Sequence, residues 1–248
     1  LLLSFALLEI NFPSIFDDIK SQRPDYKVYA VTEWKGLGRM FDSSVPDTVV
    51  NSRNGAELLN SAIETFFTDK PDFLFVAINE TDHVGHEFGH ESKEYFDCIT
   101  KYDSLIGKLA TRLEEEKMAD NTVLIITADH GWIGINHGGD TPNEMEIPVI
   151  LYGGNVTKGK IITEVNIVSD IAATVAGLLG VTMPRECAGR FIYSAFEPKT
   201  DIEYAPVPLI APQSGLYNSP VEVRLRADSP DANIFFTSVN ENTLPLLY

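Results

Sequence analysis

Basic residues, cysteines and long apolar runs are all scarce in this chain, and each scarcity argues against a class of protein. The 248 residues include 19 Lys and Arg against 36 Asp and Glu, which gives a formal net charge of −17. Nucleic-acid binding depends on clustered basic side chains, so no nucleic-acid partner is expected. The two cysteines, Cys98 and Cys187, fit neither a zinc knuckle nor a disulfide framework, and we expect both to be buried and unpaired. No apolar run is long enough to cross a bilayer, so no transmembrane segment is predicted.

Apolar periodicity predicts an α/β fold over most of the chain. Strands are predicted over residues 27–32, 73–78, 122–126 and 146–152. Helices are predicted near residues 13–20, 56–67, 94–118 and 171–179, with Ser14 and Ser169 capping the first and the last. The longest helix is expected to bury an apolar stripe that consists of Phe96, Ile99, Tyr102, Ile106, Leu109 and Leu113. This alternation indicates a mostly parallel sheet that is sandwiched by helices.

The pattern changes from about Ala205 onward. Strict apolar/polar alternation with Pro, Gly and Asn between the runs predicts a short antiparallel β module at the C-terminus. Roughly forty residues is thin for an independent sandwich, so the module looks cut short. The predicted organisation is therefore an α/β domain over residues 1–204 and a partial β module over residues 205–248.

Two Asp/His segments follow two of the predicted strands. Asp82 and His86 come after the strand at 73–78, and Asp129 and His130 come after the strand at 122–126. A third histidine, His137, follows a short loop. The carboxyl ends of central strands are where open α/β proteins bind their ligands, so these side chains can converge above the sheet. In a helical turn, Asp82 and His86 would also lie on one side.

Asp and His together are ligands for zinc or manganese, and a paired site suits phosphate or sulfate ester chemistry. A lone Asp-His pair is more often a helix cap beside a hydrogen-bonded histidine, but two pairs and a third histidine favour a site for two ions about 3.5–4 Å apart. We expect His83 to point away from the ligands or to lie behind them, and His90 to lie at the surface. The five candidate ligands are Asp82, His86, Asp129, His130 and His137.

These motifs resemble the second half of the alkaline phosphatase superfamily, above all its type I phosphodiesterase/nucleotide pyrophosphatase group. The resemblance spans about residues 12 to 195, and its motifs are Asp82-x-x-x-His86, Thr127-Ala128-Asp129-His130-Gly131 and His137-Gly138-Gly139. Further support comes from Pro13-Ser14-Ile15-Phe16-Asp17, Glu144-x-x-x-Pro148 and Asp170-Ile171-Ala172-x-Thr174.

The resemblance implies a division of the ligands between two divalent metal ions, with zinc favoured over manganese. Asp82, His86 and His137 would bind one ion, and Asp129 and His130 would bind the other. In that family the second ion also takes an Asp and a Ser or Thr nucleophile from near the amino terminus. This chain has no Asp-Gly dipeptide. The resemblance therefore implies that the N-terminal part with the nucleophile lies outside this chain.

The implied function is metal-dependent hydrolysis of a small-molecule phosphate ester. One alternative is an enzyme like cofactor-independent phosphoglycerate mutase or phosphopentomutase, which resembles the same motifs and prefers manganese. The other is a catalytically silent binding fragment that lacks the nucleophile. A sulfatase is disfavoured, because Asp82-x-x-x-His86 is the phosphoesterase pattern.

The tail resembles a different module, the chitobiase/hexosaminidase C-terminal type of immunoglobulin-like domain. The likeness rests on residues 211–217 and 232–237. It implies a contact with glycan or a neighbouring domain, and an extracellular, periplasmic or cell-surface location.

Overall fold

The computed structural model describes residues 13–184, 187–197, 209–212, 217–227, 235–236 and 246–247. The chain divides into two compact units, Leu1–Glu197 and Pro198–Tyr248. The first unit alternates helices and strands in the order α1 (Ile15–Gln22), β1 (Val28–Thr32), β2 (Thr48–Asn51), α2 (Gly55–Asp69), β3 (Phe73–Ala77), α3 (Glu80–Phe88), α4 (Lys93–Glu115), β4 (Val123–Thr127), α5 (Pro142–Met145), β5 (Val149–Gly153) and α6 (Val168–Leu178). The predicted α/β class is confirmed.

A three-stranded parallel sheet in the order β2-β1-β3 forms the centre of this unit. Tyr29 of β1 is in register with Thr48 on one side and with Leu74 on the other. Strands β4 and β5 form a separate antiparallel pair, in which Val123 faces Gly153. Strands β3 and β4 therefore deliver the two Asp/His segments from two different sheets.

The two larger of three apolar clusters among the described residues pack against the parallel sheet. One packs Phe16 and Ile19 of α1 against Val28 and Ala30 of β1. The other packs α2 against α4 through a set of buried side chains that includes Leu59, Ile63, Phe67, Tyr102 and Leu113. A fully buried apolar side chain of this size contributes about 1.5–3 kcal/mol. Val84 of α3 also packs against the second cluster, which thereby joins α4 to the helix that carries the first Asp/His pair.

Local signals predicted α1 well and α6 less well. Ser14 caps α1 as expected, with its hydroxyl accepting from the N–H of Asp17 and the Asp17 carboxylate accepting from the N–H of Ser14 at 2.8 Å. Helix α6 begins at Val168, so the prediction that Ser169 caps it is wrong. The Asp170 carboxylate instead accepts from the N–H of Ile167 at 2.9 Å.

The predicted apolar stripe of α4 is partly wrong. Phe96 and Ile99 are 59% and 41% exposed, whereas Cys98 and Leu105 are buried. Cys98 and Cys187 are both free, but Cys187 is only half-buried. The strand predicted from residue 146 begins at Val149, because the chain up to Glu146 continues the turn of α5.

Short antiparallel pairs make up the described part of the second unit. Strand β6 (Leu209–Ala211) pairs with β7 (Arg224–Arg226), and β8 (Phe235–Phe236) pairs with β9 (Leu246–Leu247). The boundary at residue 205 and the immunoglobulin-like assignment stay predictions, since residues 213–216 and 232–234 lie outside the described residues. Among the described helices, none combines the length and apolarity that a membrane span requires.

Asp170 joins the start of α6 to a distant segment and is 1% exposed. Its two carboxylate oxygens accept from the backbone N–H groups of Ile167 and Arg190 at 2.9 and 2.7 Å. We expect Asp170→Ala to lower the free energy of unfolding by about 2–4 kcal/mol, because both backbone N–H groups lose their charged acceptor. Urea denaturation measures the change. The exposed Asp103→Ala is the control, and equal midpoints for the two variants would contradict the assignment.

Candidate metal centre

Helix α3 places the first two candidate ligands on one face. Strand β3 ends at Ala77 and α3 begins at Glu80, so Asp82 and His86 are one helical turn apart. The distance between Asp82 Oδ1 and His86 Nε2 is 3.7 Å. The helical turn that the spacing predicts is therefore present.

The second segment and His137 come from the loop between β4 and α5. Strand β4 ends at Thr127, and the chain turns at once through Asp129, His130 and Gly131. The N–H of Gly131 donates to the carbonyl oxygen of Glu144 at 2.8 Å, which holds this turn against α5. A Cβ on Gly131 would lie 2.0 Å from the carbonyl oxygen of Asn143, so the close approach requires glycine.

Three imidazoles converge on one carboxylate oxygen. Asp82 Oδ1 lies 3.4 Å from Nε2 of His137 and 3.7 Å from Nε2 of both His86 and His130. The Nε2 atoms of His86 and His137 are 3.2 Å apart. The rings of His130 and His137 stack with centroids 3.6 Å apart. Ligand atoms of Asp82, His130 and His137 all lie within 4.8 Å of one another, which is a grouping that could hold a metal ion.

The donors in this cluster fit a divalent cation. Asp82 Oδ1 is buried and has no hydrogen-bond partner, which costs free energy that a bound cation would offset. His86 Nδ1 lies 2.9 Å from the carbonyl oxygen of Ile135, and His130 Nδ1 lies 3.0 Å from that of Gly131. A carbonyl oxygen only accepts, so both Nδ1 atoms donate there, and the Nε2 atoms on the side of Asp82 can bind a metal.

Asp129 lies at the outer edge of the cluster. Its carboxylate is 3.6 Å from His130 Nε2, and its side chain is 89% exposed. The structure therefore brings Asp82, His86, His130 and His137 together and leaves Asp129 beside His130 alone. His130 lies as close to Asp82 as His86 does, so the division of the ligands between two ions stays a prediction.

Trp132 is a site residue that the sequence did not predict. It is 8% exposed, and its ring lies edge-on to the three imidazoles, with centroids at 4.8 Å from His86, 4.9 Å from His137 and 5.7 Å from His130. A Cβ on Gly85 would lie 2.9 Å from the Trp132 ring, so this glycine lets α3 approach the loop. Gly85, which lies between Asp82 and His86, was the one residue in the sequence that could have indicated this close contact.

The other two histidines lie outside the cluster. His83 is exposed, and His90 is partly exposed, which agrees with the surface position predicted for it. Its Nδ1 lies 3.0 Å from the carbonyl oxygen of Gly134. His90 thus ties the end of α3 to the loop that carries His137.

Glu33 was also missed, and it caps the helix that carries Asp82. Its Oε2 accepts from the N–H groups of Asn79 and Glu80 at 2.6 and 2.9 Å. The side chain of Asn79 makes no capping bond, so the carboxylate of Glu33 takes that role from 46 residues away. A negative charge at a helix N-terminus is favourable.

Glu80 fastens the same end of α3 to α4. The Tyr102 hydroxyl donates to Glu80 Oε2 at 2.5 Å, and Lys101 pairs with Oε1. Burial raises the pKa of Glu80, but hydrogen bonds from Lys101 and Tyr102 outweigh burial and hold it below the ordinary value. Burial and the neighbouring Glu80 carboxylate raise the pKa of Tyr102, which therefore remains a donor at neutral pH.

A buried carboxylate lies in α5. Glu144 is 7% exposed, and it accepts from the Gly139 N–H at 2.9 Å and from the Thr141 hydroxyl at 2.6 Å. These hydrogen bonds, with that from Thr141 the stronger, lower the pKa of Glu144. The carboxylate is therefore ionised at neutral pH and closes the loop that follows His137.

A family model described as type I phosphodiesterase / nucleotide pyrophosphatase matches residues 15–147, which is more than half of the chain. The protein belongs to this family. The superfamily that the motifs predict is thereby confirmed, whereas the immunoglobulin-like module is not shown.

Two curated relatives and one solved structure extend the comparison. GPI ethanolamine phosphate transferase 2 of Aspergillus fumigatus is 29% identical over 45% of this chain and 16% of its own length. Phosphopentomutase of Caldanaerobacter subterraneus subsp. tengcongensis is 27% identical over 68% of this chain and 40% of its own length. The lipoteichoic acid synthase LtaP of Listeria monocytogenes shares the fold, with a TM-score of 0.52 and 18% identity over 69% of this chain and 53% of that one. The chain thus spans less than half the length of either curated relative.

Substitution of Asp82 tests the metal centre without an activity assay. We expect zinc at 100-fold above its Kd to stabilise the wild-type protein by about 2.7 kcal/mol, which is a rise in Tm of about 5–10 °C. Asp82→Ala should abolish this rise and leave the apo Tm unchanged or higher, because the unpartnered oxygen makes no hydrogen bond. Differential scanning calorimetry gives both values.

Glu87→Ala is the matched control, since it removes one negative charge from an exposed position of the same helix. It should keep the zinc-induced rise. An equal rise in Asp82→Ala would contradict the metal centre.

Proposed function

We propose that this chain forms the metal-binding part of a phosphate ester hydrolase of the phosphodiesterase/phosphatase type. The observation that carries the proposal is the convergence of His86, His130 and His137 on the unpartnered oxygen of Asp82. Family membership supports it, because the matched region contains all of these residues.

The proposed ligand sets are those that the resemblance implies. Asp82, His86 and His137 would hold one divalent ion, and Asp129 and His130 would hold a second, with zinc favoured over manganese. Such ions polarise a phosphoryl oxygen and stabilise the charge that develops on attacking and leaving oxygens. Their positive charge would also admit an anionic substrate to a protein with a net charge of −17.

The protein's own residues hold these ligands in place. The carbonyl oxygens of Ile135 and Gly131 orient the rings of His86 and His130. Trp132 covers one side of the cluster, whereas the exposed carboxylate of Asp129 lies on the side that a small substrate can reach. The activity is proposed for the full-length protein, since this chain spans only 16% and 40% of the two curated relatives.

Transfer to an acceptor other than water is the second candidate function. The phosphopentomutase matches 68% of this chain, and the other curated relative is a transferase by name. A mutase of pentose phosphates would use the same metal ligands and would differ in the pocket that receives the substrate. Contact of the tail with glycan or a neighbouring domain, and a location outside the cytoplasm, are proposals that rest on the resemblance of the tail alone.

The test is hydrolysis of p-nitrophenyl phosphate and bis(p-nitrophenyl) phosphate by the full-length protein. EDTA should abolish activity and zinc should restore it. Asp82→Ala and His137→Ala should lower kcat/KM by at least about 100-fold, because loss of a ligand exceeds the 10–100-fold effect of residues behind the ligands. Glu87→Ala should match the wild type.

Other outcomes separate the alternatives. Interconversion of pentose phosphates without release of phosphate would establish the mutase. Activity that survives both EDTA and Asp129→Ala would refute the site, and zinc binding without any turnover by the full-length protein would indicate a silent binding protein.

A further inference from the structure

We propose that Glu144 is a positioning residue for the metal centre, one that holds the segments of His130 and His137 in their ligand geometry from outside the ligand set. This inference rests on the proposed function, because it concerns the same centre.

The carboxylate of Glu144 holds the segment that follows His137. Its Oε1 accepts from the N–H of Gly139, two residues beyond His137, at 2.9 Å. Its Oε2 accepts from the hydroxyl of Thr141 at 2.6 Å. The two bonds close a loop from residue 139 to residue 144, and this loop fixes the direction in which the chain leaves His137.

The backbone of the same helical turn holds the segment that follows His130. The carbonyl oxygen of Glu144 accepts from the N–H of Gly131, and that of Asn143 accepts from the N–H of Trp132, both at 2.8 Å. Trp132 in turn contacts the ring of His137. One turn of helix thus sets the relative position of two ligand segments, and the Glu144 carboxylate anchors that turn.

Both ligand segments lie very close to α5. A Cβ on Gly139 would lie 2.6 and 2.8 Å from the two carboxylate oxygens of Glu144. A Cβ on Gly131 would lie 2.0 Å from the carbonyl oxygen of Asn143. Both ligand segments therefore meet α5 through a glycine, and a shift of α5 would move both of them.

The hydrogen bonds of Glu144 distinguish it from the candidate metal ligands. Both of its oxygens already accept from protein donors, and the metal-binding group found among the described residues contains Asp82, His130 and His137 without it. Residues that orient metal ligands from behind typically change metal affinity by 10–100-fold when they are removed.

The experiment measures zinc binding by isothermal titration calorimetry on the full chain, with zinc alone as the probe. Glu144→Leu should weaken zinc binding by about 10–100-fold. Glu144→Gln should stay within about 3-fold of the wild type, since its amide oxygen can accept from the Gly139 N–H and its NH₂ can donate to the Thr141 hydroxyl oxygen. Glu146→Leu, at an exposed position two residues along, should leave the affinity unchanged.

Two further variants separate positioning from general stability. Asp170→Ala removes a buried carboxylate from α6, which contributes none of the candidate ligands, so it should lower the Tm and keep the zinc affinity. Thr141→Val removes a single donor to Glu144 and should weaken zinc binding by about 3–10-fold in a protein with an intact far-UV circular dichroism spectrum.

Unchanged zinc affinity in folded Glu144→Leu, or in Thr141→Val where the Leu variant does not fold, would overturn the inference while the metal centre stands. Equal weakening in Asp170→Ala would overturn it too, because the effect would then follow stability alone. Wild-type protein that binds no zinc would overturn the metal centre and this inference with it.

Discussion

A buried carboxylate oxygen that lacks a donor is the constraint around which this structure is organised. Asp82 Oδ1 contacts three imidazoles at distances too long for hydrogen bonds. A buried anionic oxygen in that state is costly unless a positive charge lies within reach. A bound cation would offset this cost, and the nearby packing keeps the donors of the cluster directed at one point.

Residues of other helices and loops hold these donor atoms in that direction. Glu33 caps α3 and so holds Asp82 and His86, while Glu80 joins α3 to Tyr102 on the well-packed α4. Glu144 holds the opposing loop. All three are acidic residues that accept hydrogen bonds from protein donors. Some of the acidic residues of the chain therefore hold backbone segments in place around the candidate metal centre.

The sequence predicted most of the elements and all of the clustered histidines, but its errors follow a common cause. Periodicity shows which face of α4 is apolar, yet it does not show how much of that face a neighbour covers, so Phe96 and Ile99 were wrongly expected to be buried. Ser169 has a good capping side chain, but Asp170 reaches both Ile167 and Arg190, and the more connected residue sets the start of α6. A local preference for helix capping is overridden where a single tertiary contact satisfies more hydrogen-bonding groups.

By itself, the sequence determined the residue types of the candidate ligands, their order along the chain and the one-turn spacing of Asp82 and His86, because these are local properties of residue type and helix geometry. Only the tertiary structure decided that His130 and His137 stack beside Asp82 and that Trp132 lies against all three rings. It also decided that Glu33 and Glu144 accept hydrogen bonds from the backbone segments that carry these residues. Some of these contacts, such as that between Glu33 and Asn79, join residues 46 positions apart. Their geometry is set by the packing of whole elements, which no spacing within one segment encodes.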